Sequence, residues 1–481
     1  MSAANRNIFS YSAVLAVFFL SGCAGFPELN PPDVRVSQVW HATLPHEGQA
    51  TDLLSWWSTF DDRSLETLIE YAEAENPTVD SAIADIEKAR ATLASARAGL
   101  LPVFDGSTSI TRSGTGGDKT NRVQTSTTTS GGFDASWEID LFGKNRKQSK
   151  AARLRVDQQI ANWHDARASL AAEVADYYVQ YRACQQLKNA YKVELTSQKE
   201  TIRATEKAVE SGLTSSADLA LARASAASSS SSLTAQQAEC EVLIKSLTQV
   251  TGGDEPRVRQ LLAKGKQGIP TPKSLKTTRV PADVLRQRPD INALEFELAA
   301  SIADVGAAKA DLYPSLSLGG SITLSSSSLT GQSQPWSFGP ALSIPVFDGG
   351  ERRAAVKSSI ADYNTAAANY KSGVLNAISE VETALVRIDS AQRRISDTSS
   401  AARNYRTYFN AIDINWRAGG ASLLDREDAR RTAQTAEITL IEIRRDAVRY
   451  WIALYKALGG GWYTSNAPST NDHTKTKGNV L

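Results

Sequence analysis

The stretch Asn76-Pro77-Thr78-Val79 … Ala98-Gly99-Leu100-Leu101-Pro102 returns 212 positions later as Arg288-Pro289-Asp290-Ile291 … Ala310-Asp311-Leu312-Tyr313-Pro314. Each bracket is followed by an alternating segment, then by Phe142-Gly143 or Phe347-Asp348-Gly349-Gly350, then by a very long helical pattern. A unit that recurs in order marks an architecture built by duplication. It predicts a wall made twice and not a pocket built round one site. Pro fits the first turn of a helix but not its interior. Helices are therefore expected at 64–76 and 78–101, broken at Asn76-Pro77.

The long patterns set the scale. Lys144 to Ser211 reads as one helix of 68 residues, about 100 Å at ~1.5 Å per residue. After a turn, Ser215 to Thr251 returns as a helix of 37 residues, and its Ser228–Ser232 run is kept helical by analogy with the second repeat. That repeat has the same parts at Gly350–Ala418 and Ser422–Leu458. A return helix and an upper helix together nearly equal the long one, so broken helices are expected to stack end to end beside continuous ones. The Gly/Pro-rich link 252–288 would then form a belt round the middle.

Between the helices the period changes to two. Phe133, Ala135, Trp137, Ile139 and Leu141 alternate with Asp134, Ser136, Glu138 and Asp140. Leu316 to Leu324 and Trp336 to Val346 alternate with small or polar residues, although Pro340 and Pro345 are awkward inside a strand. Half-buried strands of a soluble sheet give such a pattern, and so do transmembrane β-strands. The expected class is α+β, with two strands per repeat near 103–141 and 315–346. The domain plan is a signal segment 1–22, an N-terminal segment 23–63 and a first repeat 64–251 with its tip near 213. The link 252–288, a second repeat 289–460 with its tip near 420, and a tail 461–481 complete it.

The N-terminus favours the membrane alternative. Arg6 precedes an apolar run, Ile8 to Leu20, too short to cross a bilayer core of about 30 Å. Leu20-Ser21-Gly22-Cys23 then resembles the bacterial lipoprotein processing box, which implies lipidation of Cys23 and, with Ala24 following, an outer membrane destination. No other run is long enough for a spanning helix, so a membrane role must use strands.

Composition removes other classes. The net charge of +1 gives no basic face for nucleic acid. His41, His46, His164 and His473 are scattered and form no metal-ligand spacing with Cys or carboxylates. No phosphate loop or nucleophile elbow is present. Pairs such as Asp61-Asp62 are read as solvated loop or helix-start residues. No enzyme activity and no cofactor beyond the lipid on Cys23 is expected.

The two helical turns match in spacing: Gly212, Ser215 and Asp218 recur as Gly419, Ser422 and Asp425. Gly ends a helix in a left-handed conformation, and Ser-x-x-Asp resembles a capping box. Cys184 and Cys240 lie on opposite arms of the first hairpin, nearly level when counted from its turn. A disulfide and two buried thiols are both open readings.

Several motifs in register carry a family resemblance. Trp56-Trp57-Ser58-Thr59-Phe60-Asp61-Asp62-Arg63-Ser64-Leu65, Val280 to Ile291, Ala310 to Leu318 and Ile344 to Gly350 resemble segments of the TolC-like outer membrane factors. With the lipoprotein box, the resemblance is to their lipoprotein, OprM- or NodT-like branch. It implies a homotrimer with a shared twelve-stranded outer membrane barrel and a periplasmic helical tunnel. It implies a periplasmic adaptor protein at the tips, Gly212, Leu213, Ser215, Gly419 and Ser422, and an inner membrane pump of the proton-driven RND class. It also implies gate positions at Asp425, Asp428, Asp218 and Trp416, although Trp416 stands where some members carry a tyrosine and Ala421 where some carry a linking arginine. The expected function is a passive efflux duct. The rivals are a type I secretion channel and a lipid-anchored periplasmic scaffold without a pore.

Overall fold

The computed structural model describes residues 56–116, 124–272 and 287–460. Cys23, the signal segment, most of the N-terminal segment and the tail 461–481 lie outside the described residues.

A 3-10 turn at Trp56–Phe60 leads into α1 (Arg63–Glu75) and α2 (Pro77–Ala98). Strands β1 (Val103–Thr115) and β2 (Gln124–Ile139) follow, then the hairpin of α3 (Lys144–Glu210) and α4 (Ser216–Thr251). After α5 (Glu255–Lys264), the second repeat holds α6 (Pro289–Ala310), β3 (Ser315–Ser327), β4 (Gly331–Ser333), β5 (Trp336–Ser343) and the hairpin of α7 (Glu351–Arg417) and α8 (Leu423–Ala457). Both long helices contain 67 residues. The Ser228–Ser232 run lies inside α4.

Broken helices do stack end to end. Asn76 caps α2 by accepting from the Thr78 amide at 2.7 Å, and its carboxamide donates to Val250 O, at the end of α4, at 2.6 Å. Gly252 then turns the chain with φ 66°; a Cβ there would meet Glu75 O at 2.4 Å. In the second repeat Arg288 does the same work. It donates to Ala457 O at the end of α8 at 2.9 Å and pairs with Asp290 at 2.8 Å and Glu380 at 2.7 Å. Thus α4 continues into α2 and α8 into α6. The lateral order is α4/α2, α3, α8/α6, α7.

The main core lies at the junctions. Trp56, Leu65, Leu68, Tyr178, Leu247, Leu385 and Leu454 are fully buried there, and Trp56 stacks on Tyr455 with ring centroids 4.7 Å apart. Within the described part of the link, 252–272, the chain carries α5, whose Val258, Leu261 and Leu262 enter the core. Asp62 is a helix-start residue, as one of the two readings had it, but not a solvated one. It is buried, accepts from the Ser64 amide at the start of α1, and accepts from the Tyr178 hydroxyl at 2.5 Å.

The sheet is antiparallel in the order β1-β2-β3-β5, with β4 a short return beside β3. Its register puts Phe104, Ile110, Phe133, Trp137, Leu318, Ile322, Leu324, Trp336, Phe338 and Leu342 on one face. The other face carries mostly Ser, Thr and Gly with Asp105, Asp134 and Glu138. Phe104, Phe133, Trp336 and Phe338 are each 70–75% exposed. Within the protomer β5 pairs only with β3, and the missing N–H of Pro340 falls on its outer edge, where it breaks no bond of this sheet. The strands stop short of the expected limits, β2 at Ile139 and β5 at Ser343. Beyond them, Gly143 (φ 77°) and Gly350 (φ 94°) start the long helices, and Asp140 and Asp348 accept from first-turn amides. No described helix is long and apolar enough to cross a membrane.

His164, buried on α3 beside Trp163, gives the fold a pH dependence. Burial, with a contribution from the Arg167 charge, lowers its pKa to about 4. The unfolded chain therefore binds the proton more readily, and stability present above pH ~6.5 drains away as pH falls toward 4, by at most about 1.4 kcal/mol per unit. Unfolding midpoints in detergent between pH 7.5 and 4.5 are expected to fall less for His164→Gln than for the parent; parallel curves would refute this.

Candidate aperture at the helical tips

Both hairpins turn in the same way. Gly212 (φ 68°) and Gly419 (φ 79°) take the left-handed conformation that a side chain would strain. Ser215 and Ser422 cap the return helices, and Asp218 and Asp425 reach back to complete capping boxes. Asp218 accepts from Thr214 Oγ1 at 2.6 Å and Ser215 Oγ at 2.8 Å; Asp425 accepts from Ser422 Oγ at 2.6 Å. Those hydrogen bonds, from Thr214 and Ser215 in one turn and Ser422 in the other, hold both carboxyls below the usual range. Leu213 and Leu424 stand exposed as apolar points at the two ends.

The acids expected at a gate are not brought together within one protomer. Asp428 is exposed and paired with Arg431 at 3.1 Å on its own helix. Among the described residues no bond joins Asp218 to Asp425, Asp428 or Trp416. Trp416 instead lies under the Arg426 guanidinium, 4.6 Å from the ring centroid.

Arg426 is the centre of a buried ionic cluster between the hairpins. Only 2% exposed, it donates to Asp413 at 2.6 Å, to the Thr201 hydroxyl at 2.7 Å and to Glu427 at 3.0 Å. Glu427 also accepts from Gln198 at 2.8 Å and Arg430 at 3.0 Å, and Arg430 pairs with Glu194. Arg417 adds an outer bond to Asp413 at 2.9 Å. Burial, and then the charge of Arg431, lowers the Arg430 pKa to about 10, which leaves it charged at neutral pH. Glu194, Gln198 and Thr201 belong to α3, whereas Arg426, Glu427 and Arg430 belong to α8. The cluster therefore ties the second hairpin to the first. A cavity of about 330 Å³ beside it, lined by Glu194, Arg430, Phe409 and Glu437, leaves space for these side chains to rearrange.

Sequence reading passed over this cluster, although a signal was present. The stripe of α3 that is apolar at Ala183 and Leu187 turns polar at Glu194, Gln198, Thr201 and Thr205, still buried. Polar residues at heptad core positions mark a place where specificity outweighs stability. Higher on the same hairpin, Cys184 and Cys240 are joined by a disulfide, with Cα atoms 5.7 Å apart.

Long helical hairpins thus run from a sheet whose apolar face is bare. A family model described as outer membrane efflux protein matches residues 68–253 and 280–460. The chain belongs to that family. It is 28% identical over 457 residues to nodulation protein T of Rhizobium leguminosarum bv. trifolii, covering 94% of this chain and 97% of that one. It is 28% identical over 471 residues to outer membrane protein OprJ of Pseudomonas aeruginosa, covering 94% and 96%. Among solved structures, the Campylobacter jejuni CmeC outer membrane channel superposes with a TM-score of 0.84 at 26% identity, covering 92% of this chain and 96% of that one.

Removing one partner of a buried ion pair strands the others, at a cost of about 3–5 kcal/mol. Arg426→Ala is therefore expected to loosen the contact between the hairpins and to speed amide exchange at 194–201 and 426–430. Arg431→Ala, at an exposed pair, should change both by little. Equal exchange in the two variants would show that the cluster holds nothing.

Proposed function

We propose that the chain is one subunit of a trimeric outer membrane duct in a tripartite efflux system, fed from the periplasmic side by an inner membrane pump through an adaptor protein. The observation that carries this reading is that both layers of the protomer end in open edges on corresponding sides. The sheet has free edges at β1 and β5, and the helical layer at α2/α4 and α7. An open edge facing lipid leaves backbone groups without partners, so the sheet closes only with copies of itself. Head-to-tail joining of β5 to the next β1 is a heterologous contact that closes into a ring. Three copies, each giving the full strands β1, β2, β3 and β5, supply twelve, enough to leave a lumen. The apolar face then meets lipid, and the hydroxyl-rich face lines the exit.

Family membership makes this an outer membrane efflux protein that extends into the periplasm, and its relatives are channel components and not enzymes. The finer assignments are part of the proposal. Cys23 carries the lipid that anchors the mature chain after removal of 1–22. The tips, with Gly212, Leu213, Ser215, Gly419 and Ser422, receive the adaptor. The pump is of the proton-driven RND class. In the trimer Asp428 faces the axis as a ring of carboxylates, with Asp218, Asp425 and Trp416 shaping the turns around it. A narrow acidic ring favours cations.

Purified protein in detergent is expected to run as a trimer by light scattering and to give single-channel steps in planar bilayers. Asp428→Ala should raise the conductance or weaken block by divalent cations. A monodisperse monomer that is soluble without detergent once the lipid is removed would overturn the membrane reading; unchanged currents in Asp428→Ala would remove the acid ring alone.

A further inference from the structure

The start of α3, just beyond the sheet, is strongly basic. Between Asp140 and Asp157 the chain holds Lys144, Arg146, Lys147, Lys150, Arg153 and Arg155 and no acid. The amide end of a helix favours anions, yet α3 has no acidic residue in its first turn. Some of these cations serve the wall. Lys144 pairs with Asp311, Lys147 donates to Gly306 O at 3.1 Å and Arg155 to Asp304 at 2.6 Å, all on α6 or at its end. On its other side α3 meets the end of α2, where Asn145 donates to Gly99 O at 3.2 Å. Arg146, Lys150 and Arg153 share a third face. At about 100° per residue they lie within roughly 60° of one another, in the wider of the two arcs left between α2 and α6. In a closed ring of helices the wider arc is the outer one. On the channel reading above, on which this inference rests, these cations point away from the duct.

The second repeat keeps the pattern. At an offset of 207 positions Arg146 and Lys150 fall on Arg353 and Lys357 of α7. All of these residues are exposed, Arg153 included. Arg146 shares Asp140 at 3.1 Å, but Lys150, Arg353 and Lys357 have no ion-pair partner among the described residues.

We propose that Arg146, Lys150, Arg153, Arg353 and Lys357 form a collar that binds the phosphate groups of anionic phospholipid in the periplasmic leaflet of the outer membrane. The collar begins where the apolar face of the sheet ends. Trp137, near the end of β2, and Val346 and Phe347, 90–92% exposed just before α7, mark that limit, and Trp favours the boundary of the hydrocarbon. At ~1.5 Å per residue Arg146 and Lys150 stand about 3 and 9 Å beyond Lys144, and Arg353 and Lys357 stand equally far beyond Glu351. A headgroup layer is about 5–8 Å deep. Both helices run away from the sheet, and Cα–Cβ bonds tilt toward a helix's N-terminus. The side chains therefore lean back toward the membrane, and Arg153, a turn lower, reaches it along its apolar stem. Lipid phosphates supply there the negative charge that the first turn of α3 lacks. In return the cations fix the depth at which the apolar face sits.

The test is lipid retention by the full-length lipoprotein. Protein in detergent is mixed with equal amounts of phosphatidylglycerol and phosphatidylcholine, and bound lipid is counted by native mass spectrometry. The parent should retain phosphatidylglycerol several-fold over phosphatidylcholine. Arg146→Gln/Lys150→Gln/Arg153→Gln/Arg353→Gln/Lys357→Gln should lose that preference. Lys192→Gln/Lys199→Gln/Arg203→Gln/Lys207→Gln/Arg394→Gln, which removes as much charge lower on the hairpins, should keep it, and so should the charge-conserving Arg146→Lys/Arg153→Lys/Arg353→Lys. Should the full collar variant fail to fold, Arg353→Gln/Lys357→Gln, at exposed positions, should still lower retention. Equal preference in the collar and control variants would overturn the proposal. So would loss of the bound lipid to inorganic phosphate at fixed ionic strength, which would mean that the cations take any phosphate ion. Bilayer currents separate this from the channel reading. If the parent carries no current but its lipid preference needs the collar, the channel reading fails and the collar stands. If the parent conducts and the preference survives in the collar variant, the collar is wrong.

Discussion

A backbone in lipid must satisfy its own hydrogen bonds, and a five-stranded antiparallel sheet with two open edges cannot. Most of the architecture follows from that constraint. The apolar face of Phe104, Phe133, Trp336 and Phe338 needs a hydrocarbon surrounding, while the edges β1 and β5 need strand partners. In the proposed assembly, further copies of the chain meet both needs. Because each strand pair runs through Gly143 or Gly350 directly into a long helix, pairing the strands sets the helices side by side as well.

The duplication supplies the wall, and local chemistry makes its halves differ. Both repeats join an upper helix to a return helix, but one uses the carboxamide of Asn76 on Val250 O and the other the guanidinium of Arg288 on Ala457 O. The second solution brings charge with it, through Asp290 and Glu380. The hairpins diverge in the same manner. A covalent bond spans the first at Cys184–Cys240, and a pair of alanines stands at the same height in the second. Similar backbones thus carry different cross-links at corresponding places.

At the tips, hydrogen bonding divides the acids by task. Asp218 and Asp425 are consumed by their own turns, since two hydroxyls and an amide close on the Asp218 carboxylate and one hydroxyl and one amide on that of Asp425. The link between hairpins falls instead to Arg426, whose donors reach three residues on three different helices. Buried ion pairs are poor sources of net stability but strict about geometry, since a displaced partner leaves charge stranded in low dielectric. A contact between hairpins held in this way is specific without being deep.

Periodicity and punctuation in the sequence determined the elements. Pro77 and Pro289 placed the helix breaks, period-two runs placed β2, β3 and β5, and Gly-x-x-Ser-x-x-Asp placed both tips within a residue or two. These are local signals, set by backbone sterics and by side chains a few positions apart. The tertiary structure decided what depends on distant partners. The helix α5 was hidden because its own Val258, Leu261 and Leu262 find their core only in a cluster built from other segments, in a stretch rich in Gly and Pro. Asp62 became a buried cap only because Tyr178, 116 residues away, donates to it. The cluster round Arg426 joins residues 225 and 229 positions apart, and no spacing along one helix specifies such pairings. Counting along the hairpin could level the two cysteines, but only packing turned their side chains toward each other. Local order is written in neighbouring residues, whereas an ionic lock or a staple exists only once two arms of the chain lie side by side.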